Sequence, residues 1–85
     1  MDDPRAALRA TVLDLILSIA PEVDAASIDP RRPLRRQVDL DSMDWLNVLV
    51  GLHERTGVPV PEADYARLST LDQLLDYLLA RRPGG

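Results

Sequence analysis

Proline placement limits this chain more than any other feature. Pro21, Pro30 and Pro33 break up the twenty-odd residues between two apolar-periodic runs, and Pro59 and Pro61 force the stretch after Gly57 to be extended. Neither interrupted stretch alternates apolar and polar residues as a strand does. What survives is helical. Asp3 followed by Pro4 reads as an N-cap with proline in the first turn, and Leu8, Val12, Leu15, Ile16 and Ile19 then form one buried stripe that ends at Pro21. A second run extends from Met43 to His53 and stops at Gly57, where glycine suits a helix C-terminus. Pro61 can open a short helix through Glu62, Ala63, Asp64 and Tyr65. Thr70, Leu71, Asp72 and Gln73 match a capping box, followed by the stripe Leu71, Leu74, Leu75, Leu78 and Leu79. Arg81 and Arg82 suit the negative end of that last helix.

The expected fold is therefore all-α: a four-helix bundle of three longer helices and one short one, with a long first loop. A loop of that length needs anchoring, and Val23, Ile28, Leu34 and Val38 are the residues expected to pin it to the bundle. The chain of 85 residues is expected to be a single domain over 1–85, with a core of about 4–81 and a flexible tail at 82–85 that includes Gly84 and Gly85.

Composition narrows the function classes. At 46% hydrophobic and 28% charged the chain is globular rather than disordered. A domain of this size buries only about 60–65% of its unfolded surface, which leaves little wall for a deep, dry pocket and disfavours an autonomous enzyme. There is no cysteine, so disulfides, thiolate metal sites and protein thiol nucleophiles are excluded, and any thiol chemistry must be imported. The single histidine, His53, has no ligand partner of its kind for a transition-metal site. A net charge of −4 argues against nucleic acid and anionic membranes and favours partners with basic surfaces. No secretory signal pattern and no apolar stretch near 18 residues is present, so the expectation is a cytoplasmic monomer without a membrane span.

Ser42 lies where the proline-rich loop meets the second long helix, at or just before its N-terminus. Backbone N–H groups are unsatisfied there and the helix dipole favours negative charge by roughly 0.3–1 kcal/mol, so a phosphate ester on this hydroxyl is well placed. Taken alone, Asp41 or Ser42 at this place reads first as a simple N-cap, and only context overturns that reading. A hydrolase built from Asp41, Ser42 and His53 fails on distance, because eleven residues of one helix separate the serine and histidine by about 16 Å.

The sequence Leu40, Asp41, Ser42, Met43, Asp44 resembles the attachment motif of the acyl carrier protein family, Asp-Ser-Leu or Asp-Ser-Met at the start of the second helix. The likeness spans nearly the whole chain: a first helix, a long loop, the motif, a helix ending near Glu54, Arg55, Thr56 and Gly57, then Val60 and Pro61, a short helix with Asp64 and Tyr65, and a last helix opening at Ser69, Thr70 and Leu71. The resemblance implies 4′-phosphopantetheine attached covalently to Ser42 by a phosphopantetheinyl transferase, with acyl, polyketide or aminoacyl groups carried as thioesters to acyl-loading, synthase or acyltransferase enzymes. In that reading the chain is a carrier and not an enzyme. The competing reading is an unmodified helical interaction module in which Ser42 only caps a helix.

The second long helix holds more apolar residues than one buried face needs. Leu46, Leu49 and Leu52, with Val48 or Trp45, are expected to face inward, leaving Met43, Asn47, Val50 and Glu54 as a partner-recognition stripe flanked by Asp39, Asp41 and Asp44. Trp45 is expected either to flank the arm or its cargo, or to pack partly buried. Two departures from the family pattern stand out: Asp39 occupies a position near the motif where glycine is common, and Asn47 and His53 stand where acidic residues are frequent. Arg31, Arg32, Arg35 and Arg36 form a basic cluster, which in an acidic chain reads as a solvated loop or a contact for acidic partner residues rather than a nucleic-acid site.

Overall fold

The computed structural model describes residues 3–81, so the tail expected at 82–85 lies outside the described residues. Three long helices carry the fold: α1 (Pro4–Ile19), α3 (Ser42–Thr56) and α4 (Leu71–Arg81). Between α1 and α3 the long loop contains a 3-10 turn, η1 (Ala25–Ser27), and one turn of helix, α2 (Leu34–Gln37). The short element after Pro61 is a 3-10 helix, η2 (Glu62–Arg67). No strand occurs among the described residues; the nearest approach is an isolated bridge between Pro33 and Thr70.

Local chemistry sets the helix ends. Asp3 caps α1 by accepting a hydrogen bond from the Arg5 amide at 3.0 Å. Gly57 closes α3 at φ 74, a left-handed conformation that costs a glycine little, and its amide donates to the His53 carbonyl at 2.9 Å. The capping box of α4 forms as expected: the Gln73 amide donates to Thr70 Oγ1 at 3.1 Å, and Gln73 Oε1 accepts from the Thr70 amide at 3.0 Å.

Helices α3 and α4 both pack on α1, which contributes Leu8, Val12, Leu15 and Ile16 to the core. The α4 helix contributes Leu71, Leu74, Leu75, Tyr77 and Leu78. Ile19 and Leu79, expected in the buried stripes, are only partly buried at the edge of the core. Tyr77 was not expected there. Its ring is buried and its hydroxyl donates to Asp64 Oδ2 at 2.7 Å, tying η2 to α4. Of the expected loop anchors Ile28, Leu34 and Val38 are buried and Val23 is partly so; Leu40 is buried beside them. Arg5 reaches from α1 to Asp76 at 2.6 Å and Asp72 at 2.9 Å on α4, and Arg55 of α3 pairs with Asp14 of α1.

Candidate functional site

The segment before α3 is fixed at both ends. Leu40 is buried in the core and its amide donates to the Val38 carbonyl at 2.8 Å, which holds the chain in a tight turn just ahead of Asp41. Asp41 adopts an extended conformation and is the N-cap: its Oδ1 accepts from the Asp44 amide at 2.8 Å, and its carbonyl accepts from the Trp45 amide at 2.9 Å. Ser42 is the first residue of α3 and is exposed. Among the described residues no side chain or backbone group hydrogen-bonds its Oγ, whereas the hydroxyls of Ser18, Ser27 and Thr56 bond to backbone carbonyls. The capping role open to either residue thus falls to Asp41, and the Ser42 hydroxyl is left without a structural task.

With Asp44 and Trp45 amides engaged, the amides of Ser42 and Met43 are the helix-start donors still open to an outside acceptor. They suit a phosphate oxygen, and the dipole adds to the attraction. Asp39 and Asp41 are exposed and Asp44 is partly so, and all three lie within three residues of Ser42 along the chain, which gives the start of α3 an acidic character. An enzyme approaching this hydroxyl meets complementary charge if its own surface is basic. The donors, the exposed hydroxyl and the absence of a competing bond together fit a phosphodiester at Ser42.

The outward face of α3 corrects one expectation. Trp45, Val48, Leu49 and Leu52 are the buried residues, and Leu46 is not among them: it is 38% exposed, with Met43 at 68% and Val50 at 51%. At 100° per residue Met43, Leu46, Asn47, Val50 and Glu54 fall within an arc of about 100°, opposite the buried four. The surface is an apolar ridge of three side chains running away from Ser42, with Asn47 and Glu54 beside it, all of them exposed. Met43 and Val50, which a different helix rotation would bury, stand outward.

Trp45 is buried, at 6% exposure, and packs in the core rather than standing free beside the serine. It still borders an open cleft of about 300 Å³ whose other walls include Pro33, Arg35, Arg36, Tyr65 and Ser69. His53 lies on the same unbroken helix as Ser42, near the opposite end, so the two side chains do not meet. Among the described residues no group of three His, Cys, Asp or Glu side chains is placed to hold a metal ion, and no helix is long and apolar enough to cross a membrane.

A family model described as a phosphopantetheine attachment site matches residues 10–78, from within α1 almost to the end of α4. The chain is 25% identical over 57 residues to an acyl carrier protein of Rubrobacter xylanophilus, covering 67% of this chain and 70% of that one. It is 26% identical over 76 residues to an acyl carrier protein of Chlorobium phaeobacteroides, covering 89% and 96% respectively. Against acyl carrier protein 2, mitochondrial, of Arabidopsis thaliana it is 25% identical over 73 residues, covering 82% of this chain and 58% of the relative.

Proposed function

The chain belongs to the acyl carrier protein family, whose cofactor is phosphopantetheine, and on that footing we propose that Ser42 bears the arm and that α3 presents it to partner enzymes. The observation that carries this reading is the exposed, unbonded hydroxyl at the first position of α3. When bound, the group supplies a terminal thiol on which an acyl, polyketide or aminoacyl group is held as a thioester. The protein has no cysteine, so no thiol of its own competes for that cargo.

The chain's residues position and display. Leu40 anchors the turn before the motif, Asp41 fixes the first turn of α3, and Ser42 projects the attachment oxygen into solvent. The open amides of Ser42 and Met43 stabilise negative charge beside that oxygen. Met43, Leu46, Asn47, Val50 and Glu54 form the docking ridge, and Asp39, Asp41 and Asp44 steer partners with basic surfaces, setting encounter rate and register more than affinity. Tethered cargo reaches a docked active site at an effective concentration on the order of millimolar, which keeps intermediates from diffusing away. Partners on this reading are a phosphopantetheinyl transferase and acyl-loading, synthase or acyltransferase enzymes of the cytoplasm, each engaging a monomeric carrier domain.

The unmodified-module reading loses its main support once Asp41, and not Ser42, makes the capping bond. Incubation with coenzyme A, magnesium and a broad-specificity phosphopantetheinyl transferase separates the two. The carrier reading expects one added arm in the intact mass of the wild type and none in Ser42→Ala. An unchanged wild-type mass sinks it.

A further inference from the structure

We propose that the segment 31–36 is a second docking surface, at which Arg35 and Arg36 take an acidic segment of a partner protein and seat it beside Trp45. The sign is opposite to that expected at the Ser42 end of α3. Elsewhere most described arginines are matched: Arg5 with Asp72 and Asp76, Arg55 with Asp14, Arg67 with Asp64, while Arg81 lies 3.9 Å over the Tyr77 ring and Arg9 alone on α1 stands without a partner. In this segment they are not. Among the described residues Arg31, Arg35 and Arg36 have no ion-pair partner, and Arg32 meets Asp29 only at 3.7 Å.

The segment is also braced, which a basic stretch serving only solvation does not require. Gln37 accepts from the Asp29 amide at 2.6 Å and donates to the Asp29 and Arg32 carbonyls at 2.8 and 3.0 Å. Leu34 is buried and its amide donates to the Ser69 carbonyl at 2.8 Å. Arg35 Nε donates to the Leu40 carbonyl at 3.3 Å, tying the guanidinium to the turn that leads into Ser42. A surface ordered in advance loses less entropy when a partner binds.

Beside the two arginines the cleft offers Trp45, Tyr65 and Pro33 as apolar walls. Guanidinium groups recognise carboxylates through paired hydrogen bonds, so cleft and charge together fit a glutamate or aspartate next to an apolar side chain. A polyanion fits less well. None of the rings of Trp45, Tyr65 and Tyr77 is exposed for base stacking. Basic residues at 31–36 and acidic ones at 39–44 give a partner carrying both signs a preferred docking register.

The test follows backbone amides and the single tryptophan indole of the full chain by NMR, without the arm, so its outcome is independent of modification at Ser42. The titrants are a short peptide with glutamates flanking a leucine, the same peptide with lysines, an RNA oligomer, and phosphatidylglycerol vesicles. The glutamate peptide is expected to shift amides of 31–37 and the Trp45 indole. Its affinity should fall about tenfold or more in Arg35→Gln/Arg36→Gln, the loss of one or two charge-assisted hydrogen bonds. Both side chains are exposed, so unchanged amides of the core residues Val12 and Leu74 confirm the variant's fold; Arg31→Gln/Arg32→Gln, outside the cleft walls, is expected to keep most of the affinity. Absence of shifts at 31–37, affinity that survives in Arg35→Gln/Arg36→Gln, or equal binding of RNA or vesicles overturns the proposal.

Discussion

Asp41 and Ser42 are neighbours, and only the side chain of Asp41 is engaged in capping α3. The carboxylate of Asp41 satisfies the Asp44 amide, and this frees the next hydroxyl from capping. Asp41→Ala should lower stability by about 1 kcal/mol in urea denaturation, while Asp41→Asn, which keeps an acceptor oxygen, should recover most of it. An equal loss in both variants would mean that the carboxylate acts by charge rather than by capping. The position of Ser42 at the start of α3 could be read from the sequence because a weak three-residue motif sat in register with every other element. Trp45 and Leu46 show where such reading stops. Trp45, Val48, Leu49 and Leu52 fit the spacing i, i+3, i+4, i+7 without a gap, a signal sufficient to put Leu46 outside, but competing leucine spacings on the same helix hid it.

At the level of elements, α3 approaches α1 closely because Gly51 lacks a side chain. A Cβ placed there would lie 2.7 Å from Leu15 Cδ2. Gly51→Val is expected to cost about 1–3 kcal/mol by overpacking. Gly51→Ala should come out near neutral, since about 1 kcal/mol of helix propensity offsets a small shift of Leu15. A neutral valine variant would contradict the packing described. The link between η2 and α4 carries a pH dependence. The Tyr77 hydroxyl, and after it Arg67, hold the Asp64 carboxyl below its usual range, while burial and then Asp64 push the Tyr77 phenol up. The carboxylate's contribution is full above the ordinary carboxylate range and is lost as pH falls through the lower folded value. The phenol's is full below its ordinary value and is lost as pH rises through the higher folded one. Urea midpoints measured from pH 6 to 3 should therefore decline more steeply for the wild type than for Tyr77→Phe. Parallel declines would show that the pair does not hold in solution. Neither Tyr77 nor its partner was legible beforehand, because the bond joins residues on two different elements and leaves no periodic trace.

Across the whole molecule the three long helices and their caps were legible, since each rests on local spacing and end chemistry. The first loop was legible only as a constraint. Its anchors Ile28, Leu34 and Val38 showed as isolated apolar residues, but η1 and α2 are too short to generate a helical period, and the Gln37 brace depends on tertiary placement. The result is a small scaffold with one side of α3 buried and the other offered outward, starting from a hydroxyl that the fold itself does not use. The most direct measurement is fragment-ion mapping of the wild-type chain after loading from an acyl-coenzyme A by a phosphopantetheinyl transferase. The account predicts a single acylated arm on Ser42, with the acyl group released by neutral hydroxylamine and the arm retained. An adduct on another hydroxyl, or one that hydroxylamine leaves intact, would contradict it.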